Sequence, residues 1–245
     1  CILNDVALAI EYLTRKYRIQ GAKPRIMYID YDAHHGDGVQ KIFYDRADVL
    51  TLSFHQDGHT IFPGTGFLEE TGRGPGKGFS LNVPLQPGTI DTIFLETFER
   101  LVPQVIEAYE PDVLVVQNGV DMHFLDPITN MGLSTEGLEK VYKFLDIWAE
   151  KHVSQNKIVA VGGGGYNIGV VARAWAMLLA NMENEHIDDP LPKTWLEFLE
   201  SRWEDSTSPM PTLLRDRNYA IEERQLKDPF WEDSLYAHCD NIITH

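Results

Sequence analysis

The chain has 245 residues, of which 43% are hydrophobic and 24% charged, a composition typical of a soluble globular protein with a substantial core. Its 37 acidic against 21 basic residues leave a formal net charge of −16, which disfavours nucleic acid as a direct partner because phosphate binding needs a basic surface. No run approaches the ~18 apolar residues that a membrane span needs, and the first residues lack the pattern of a signal peptide.

Short apolar runs alternate along the chain with amphipathic stretches, which is the pattern of repeated β-α-β units and a mainly parallel sheet. In chain order we predict a helix at 4–17, strands at 25–32, 49–55 and 79–84, a helix at 91–109, a strand at 113–120, a helix at 134–152 that Ser134 caps, a strand at 157–162 and a helix at 168–182. The runs at 113–116 and 158–161 are apolar on both faces, which predicts central strands. The expected fold is a three-layer α/β/α domain.

Two segments depart from this alternation. The segment 64–78 carries six glycines between two predicted strands, which indicates a long surface loop. From residue 201 onward the periodicity fades and prolines appear. We therefore expect a domain at 1–200 and a polar C-terminal extension at 201–245 that packs on it, with some helix near 219–226.

The two cysteines, Cys1 and Cys239, stand at opposite ends of the chain without metal-ligand spacing. Two cysteines cannot build a disulfide framework, and a reducing cytoplasm is the expected location. The chain enters helix-like periodicity almost at its first residue, which indicates that it is part of a longer protein.

The most informative segment follows the first predicted strand and reads Tyr28-Ile29-Asp30-Tyr31-Asp32-Ala33-His34-His35-Gly36-Asp37-Gly38. Side chains alternate along a strand, so Asp30, Asp32 and His34 are predicted to share one face. Three polar groups at a buried strand end are costly unless a cation neutralises them, and carboxylate with imidazole suits zinc or iron. A calcium EF-hand does not fit, because His35 and Lys41 stand where that loop needs Gly and Glu. A hydrogen-bonded polar cluster without metal is the alternative.

Asp121 ends the apolar run of another predicted strand. Alone, it could be a turn or cap residue. Together with Asp32 and His34 it supplies two carboxylates and one imidazole, which leave positions free for water and substrate, as in catalytic rather than structural zinc sites.

A run of four glycines, Gly162 to Gly165, follows the last predicted strand and leads into Tyr166. The run fits neither the dinucleotide fingerprint nor a Walker motif. A glycine wall lets a narrow substrate approach the backbone. The Tyr166 hydroxyl could then donate to a developing oxyanion, although a tyrosine here could also fill the core.

These segments resemble the histone deacetylase superfamily over residues 1 to about 181. The supporting phrases, in the family's order, are the segment 28–39, Leu52-Ser53-Phe54-His55, Phe62-Pro63-Gly64-Thr65-Gly66 and the glycine run with Tyr166. The short loops and Asp126-Pro127 are most similar to acetoin-utilisation-type deacetylases of bacteria and archaea. The resemblance implies an arginase/deacetylase-like fold and a zinc-dependent deacetylase, with Fe²⁺ as another possible metal, that acts on acetyl-lysine in proteins or on related N-acetylated amines.

The resemblance also implies roles for individual residues. By position, Asp32, His34 and Asp121 match the zinc ligands, and Tyr166 matches the residue that stabilises the tetrahedral intermediate.

Further positions match supporting roles in the family. Phe62 and Gly164 match the walls of the narrow substrate tunnel. Asp30 and Asp37 match the carboxylates that orient the catalytic histidine pair. Asp30 with Ser53 matches a structural monovalent-cation site, usually occupied by K⁺.

One departure from the family pattern concerns that histidine pair, which in the family precedes the segment where this chain begins. His34-His35 is not the pair, because His34 falls on a ligand position. The first strands of the family's sheet are missing as well. The resemblance therefore implies a domain that is incomplete at its N-terminus, a site that an N-terminal segment of the same protein completes, and little or no activity of the isolated chain.

Two alternatives accompany this interpretation. A dinuclear manganese ureohydrolase of the arginase type shares the fold and would need further ligands, for which Asp37 and His123 are candidates. A non-catalytic family member that only binds acetyl-lysine is the other. A membrane partner is expected in neither case.

Overall fold

A computed structural model describes residues 3–18, 21–153, 157–203 and 210–217, which form a parallel β-sheet covered by helices. The strands are β1 (Ile26–Asp30), β2 (Val49–Gln56), β3 (Ser80–Leu85), β4 (Val113–Asn118) and β5 (Ile158–Gly162). The helices are α1 (Asp5–Lys16), α2 (Asp37–Phe43), α3 (Asp91–Tyr109), α4 (Thr135–His152), α5 (Ile168–Met182) and α6 (Lys193–Glu200). The predicted α/β architecture is confirmed. None of the helices within these ranges is long and apolar enough to cross a bilayer.

The sheet order is β3-β2-β1-β4-β5, so that β1 lies at its centre. Ile26 of β1 is in register with Val49 of β2 and with Val113 of β4. All pairings are parallel, and the carboxyl ends of β1 and β4 therefore lie side by side. Open parallel sheets bind their ligands beyond these ends.

Different helices cover the two faces of the sheet. Ile26 and Tyr28 of β1 pack with α1 and α2, whereas Met27 and Ile29 face the larger core formed with α3, α4 and α5. The residues of β1 are all buried, as expected for a strand with helices on both faces.

β5 differs from the prediction of a central strand. It is an edge strand of the described sheet, and its residues are only half-buried. An apolar run indicates that both faces of a strand are covered, but it carries no information about how many neighbouring strands pair with it.

Three shorter features complete the fold. α2 and α6 were not predicted: α2 has only seven residues and lies in the motif-rich segment, where its burial of Val39 and Phe43 stabilises it. Ser134 accepts a hydrogen bond from the backbone of Gly137, as predicted for the cap of α4. The segment 210–217 packs on the domain through buried Leu214, and the helix predicted near 219–226 lies outside the described residues.

Candidate metal centre

The three predicted ligands converge beyond the carboxyl ends of β1 and β4. One side-chain atom from each of Asp32, His34 and Asp121 lies within 4.8 Å of the other two. Nδ1 of His34 is 3.0 Å from both Oδ1 of Asp32 and Oδ2 of Asp121. No other cluster of three potential ligands occurs in the described part of the chain.

Asp32 and His34 are placed by a turn rather than by strand alternation. β1 ends at Asp30, two residues earlier than predicted, and Asp30 is not part of the ligand group. The backbone N–H of His34 donates to Oδ1 of Asp32 at 2.9 Å, which folds the segment back on itself. The N–H of Ala33 donates to Oδ1 of Asp121 at 2.8 Å and so ties the loop after β1 to the loop after β4.

Burial and the close approach of two carboxylates favour a positive charge within this group. Asp32 and Asp121 are almost fully buried. Burial raises the pKa of Asp121 to about 7. Burial also opposes ionisation of Asp32, but hydrogen bonds, foremost from His34, hold the pKa of Asp32 below its usual value. Hydrogen bonds to the two carboxylates raise the pKa of His34 to about 10, so a positive charge between them is strongly favoured.

Gly164 shows that the space above the carboxylates is kept clear. A Cβ atom at Gly164 would lie 2.2 Å from Oδ2 of Asp121 and 2.7 Å from Oδ2 of Asp32. The backbone of Gly164 is not in the left-handed region, so only the neighbouring carboxylates demand glycine. Its N–H donates to Oδ2 of Asp32 at 2.6 Å. Two carboxylates and an imidazole under a backbone wall fit a divalent cation with open coordination positions.

Tyr166 lies at the edge of this group rather than in the core. Its side chain is 54% exposed, and its ring stands edge-on to that of His34 with 6.4 Å between the centroids. Its backbone N–H donates to Oδ2 of Asp126 at 2.9 Å. Partial burial, with the nearby charges of Asp121, Asp32 and Asp126, raises the pKa of Tyr166, so that the hydroxyl stays protonated and can donate.

Phe62 projects from the loop between β2 and β3 and is 79% exposed. The loop is anchored next to the ligand group, because Nδ1 of His35 lies 2.8 Å from Oγ1 of Thr65 and Nε2 of His55 lies 2.9 Å from the carbonyl of Gly66. An exposed aromatic ring on an anchored loop can serve as an apolar wall.

Asp30 and Ser53 are register partners on β1 and β2 and are both buried. Tyr28 donates to Oδ2 of Asp30 at 2.6 Å. Burial, followed by the charge of Asp32, raises the pKa of Asp30 well above its usual value. Asp37, in contrast, is exposed in the first turn of α2 and lies outside the ligand group.

His123 does not join the ligand group. It is fully buried, and both ring nitrogens have partners: Nδ1 is 3.1 Å from the N–H of Leu125, and Nε2 is 2.7 Å from Oδ2 of Asp216. With His123 occupied and Asp37 exposed, neither candidate for a second ion reaches the triad.

Two residues that contact the site were not predicted from the sequence. Gln117 donates to Oδ2 of Asp32 at 3.2 Å, and Asp126 accepts from Tyr166. Asp126 was noted only as part of an Asp-Pro phrase, and Gln117 carries no recognisable signal in its strand. Both contacts depend on pairing between distant segments.

A family model and individual relatives both match this chain. The model of the Histone deacetylase domain family matches residues 1–182. The acetoin utilization protein AcuC of Bacillus subtilis (strain 168) is 41% identical over 224 residues, which are 88% of this chain and 56% of that protein. AcuC of Staphylococcus aureus (strain MRSA252) is 36% identical over 236 residues, which are 92% of this chain and 59% of that protein. The chain thus spans somewhat more than half the length of these relatives.

Proposed function

This chain belongs to the histone deacetylase family, and we propose that it carries the metal site of a metal-dependent deacetylase that hydrolyses acetyl-lysine in proteins or related N-acetylated amines. The observation that carries the proposal is the convergence of Asp32, His34 and Asp121 beneath Gly164, with Tyr166 beside them. The names of the acetoin utilization relatives agree with a bacterial-type enzyme of this family.

Asp32, His34 and Asp121 would hold the metal, zinc or iron, through two carboxylate oxygens and Nδ1 of the imidazole. When bound, the cation supplies Lewis acidity for an amide carbonyl and for a water molecule. Burial of the two aspartates excludes bulk water and strengthens their hold on a cation.

Tyr166 would stabilise the negative charge that develops on the substrate oxygen. Its raised pKa keeps the hydroxyl proton in place at neutral pH, so that it can donate a hydrogen bond. One such donor contributes about 10²–10³-fold in rate. Gly164 leaves room for a flat acetyl amide, and Phe62 would line the approach for an aliphatic lysine stem.

The proton-transfer groups would come from outside this chain. His34 belongs to the ligand group, and His35 is buried with its ring nitrogens hydrogen-bonded to Thr65 and Gln40, so we assign the proton transfer to neither ring. An N-terminal segment of the same protein would supply the histidine pair, with Asp30 and Asp37 orienting it. General acid–base groups contribute about 10²–10⁴-fold, so the isolated chain should be at most feebly active.

Asp30 and Ser53 would contribute to a structural K⁺ site. The proposal is supported by their pairing on adjacent strands and by the burial of both side chains. A monovalent cation there would favour ionised Asp30 over the protonated form that burial promotes.

The test is to measure zinc, iron and manganese content, and acetate release, with the purified chain and an acetyl-lysine peptide. We expect one ion per chain and slow acetate release that increases when the preceding segment of the protein is present. Two ions per chain would favour the manganese ureohydrolase. Peptide binding without acetate release in the longer protein would favour a non-catalytic binder, and robust turnover by the chain alone would show that its own residues transfer the protons.

A further inference from the structure

The described C-terminal segment, residues 210–217, contacts the loop that carries Asp121. This segment lies beyond the residues 1–182 that the family model matches. Leu214 is buried, and its N–H donates to the carbonyl of Asp189 at 2.6 Å. Asp216 follows two residues later and is 3% exposed. A carboxylate buried to this degree needs partners for both oxygens.

Asp216 has such partners on three separate elements. Oδ2 accepts a hydrogen bond from the N–H of Thr135, the first residue of α4, at 2.8 Å, and lies 2.7 Å from Nε2 of His123. Oδ1 accepts from Arg173 on α5 at 2.7 Å. One side chain therefore joins α4, α5 and the loop after β4.

The hydrogen bonds of His123 show which group is the donor in its hydrogen bond with Asp216. Nδ1 of His123 accepts from the N–H of Leu125, so the ring hydrogen is on Nε2 and is donated to Asp216. The ring thus links its own loop to Asp216 through both nitrogens. Its position in the sequence, two residues after Asp121, places this link next to a proposed metal ligand.

The same loop also holds the backbone of Tyr166. The N–H of Asp126 donates to the carbonyl of His123 at 2.9 Å, and Oδ2 of Asp126 accepts from the N–H of Tyr166. Displacement of His123 would therefore be transmitted in one direction to Asp121 and in the other to Tyr166.

The buried charge of Arg173 requires the carboxylate of Asp216 as its partner. The Arg173 side chain is 2% exposed, and a buried guanidinium is costly unless a carboxylate pairs with it. It also donates to the carbonyl of Leu214 at 3.2 Å, which fixes the chain next to Asp216. The aspartate is thus held by a buried charge on one side while it holds His123 on the other.

We propose that Asp216 is a positioning residue for the metal centre, which acts through His123 on the loop that carries Asp121 and, by way of Asp126, on Tyr166. The proposal rests on the proposed function for the roles of Asp121 and Tyr166. The hydrogen-bond path itself does not depend on it.

The first experiment titrates the purified 245-residue chain with Co²⁺ and follows the visible absorption bands. Asp216→Asn should weaken Co²⁺ binding about tenfold or more, which is the usual effect of removing a group that orients a metal ligand. Asp189→Asn is the matched control, since Asp189 pairs with Arg215 in the same region but does not contact His123. It should leave Co²⁺ affinity within about twofold of wild type.

A second variant covers the case that Asp216→Asn does not fold, because it leaves the Arg173 charge poorly matched. His123→Phe keeps the pair of Asp216 with Arg173 and removes the link from Asp216 to the loop, together with the acceptor of the Leu125 N–H. It should weaken Co²⁺ binding similarly, and adding Asp216→Asn to it should cause little further loss. Wild-type Co²⁺ affinity in His123→Phe would overturn the proposal, as would additive losses in the double variant.

A third measurement is independent of metal. Hydrogen exchange of the metal-free chain should become about tenfold faster at the amide of Tyr166 in His123→Phe, because this amide is reached only through Asp126, and should be unchanged in Asp189→Asn. Unchanged exchange at the Tyr166 amide would overturn the proposal. If the wild-type chain binds no Co²⁺, the proposed metal site is wrong, and the exchange data alone decide whether the link positions the loop.

Discussion

The backbone nitrogen of Gly164 lies 2.6 Å from Oδ2 of Asp32, so the glycine run after β5 is hydrogen-bonded directly to a proposed metal ligand. The two residues are 132 positions apart in the sequence. This hydrogen bond therefore couples the position of the glycine run to that of Asp32.

Gly164→Ala should abolish tight cation binding while the domain stays folded. The new methyl group would stand within 2.2–2.7 Å of Asp121 and Asp32, which is too close for any carbon–oxygen contact. Binding is measured by Co²⁺ titration, and folding by circular dichroism. Gly78→Ala serves as the control: its Cβ meets nothing within 4 Å, but φ is +87°, so it should cost about 1–2 kcal/mol of stability without loss of metal. Unchanged Co²⁺ affinity in Gly164→Ala would place the cation elsewhere.

Asp121→Ala should abolish stoichiometric zinc binding. The side chain is fully buried and supplies one of only two carboxylates in the triad. Zinc is quantified after dialysis against a weak chelator. Asp45→Ala makes the same chemical change at an exposed residue, whose partner is Arg73, and should retain one zinc per chain. An unchanged zinc content in Asp121→Ala would show that Asp121 is not a ligand.

Tyr166→Phe should lower kcat for acetate release by about 10²–10³-fold in a form of the protein that turns over an acetyl-lysine peptide. Metal content should stay the same, because the hydroxyl lies outside the ligand group. Tyr17→Phe removes a hydroxyl from a similarly exposed tyrosine on the end of α1 and should leave kcat unchanged. If the two variants behave alike, Tyr166 does not act on the developing charge.

The lowered pKa of Glu139 predicts how the stability of the protein depends on pH. Hydrogen bonds from Arg215, at 2.7 and 2.8 Å, lower the pKa of Glu139 from its ordinary 4.5 to about 2, although burial opposes the shift. A lowered folded-state pKa stabilises the protein above pH 4.5, and this contribution disappears as the pH falls from about 4.5 to 2. Glu139→Gln should therefore be less stable than wild type at pH 6, and the difference should shrink by pH 3. Urea unfolding at the two pH values measures this; a constant difference would contradict it.

Much of the fold follows from local pattern, and the exceptions have physical causes. The buried strands β1, β2 and β4 can be predicted from the sequence, because a strand that is covered on both faces needs apolar side chains on both faces. The seven-residue helix α2 does not, because its stability comes from packing against α1 and β2 rather than from its own sequence.

The candidate site was predictable where one segment carries several ligands, and not where a contact joins distant segments. Asp32 and His34 stand close together in the sequence, and Asp121 follows an apolar strand whose carboxyl end lies at the same edge of a parallel sheet. The link from His123 to Asp216 spans 93 residues, and no periodicity relates the two positions. A cytoplasmic location stays a prediction from composition.

The central position of β1 has a consequence for the order of folding. β1 pairs with β2, which follows it closely in the chain, and with β4, which arrives only after β3 and α3. Loop-closure entropy grows with the length of the intervening chain, so the pairing with β4 is the later kinetic event. His34 and Asp121 are 87 residues apart and meet only through that event, so Co²⁺ colour would report the pairing of β1 with β4 in a stopped-flow refolding experiment.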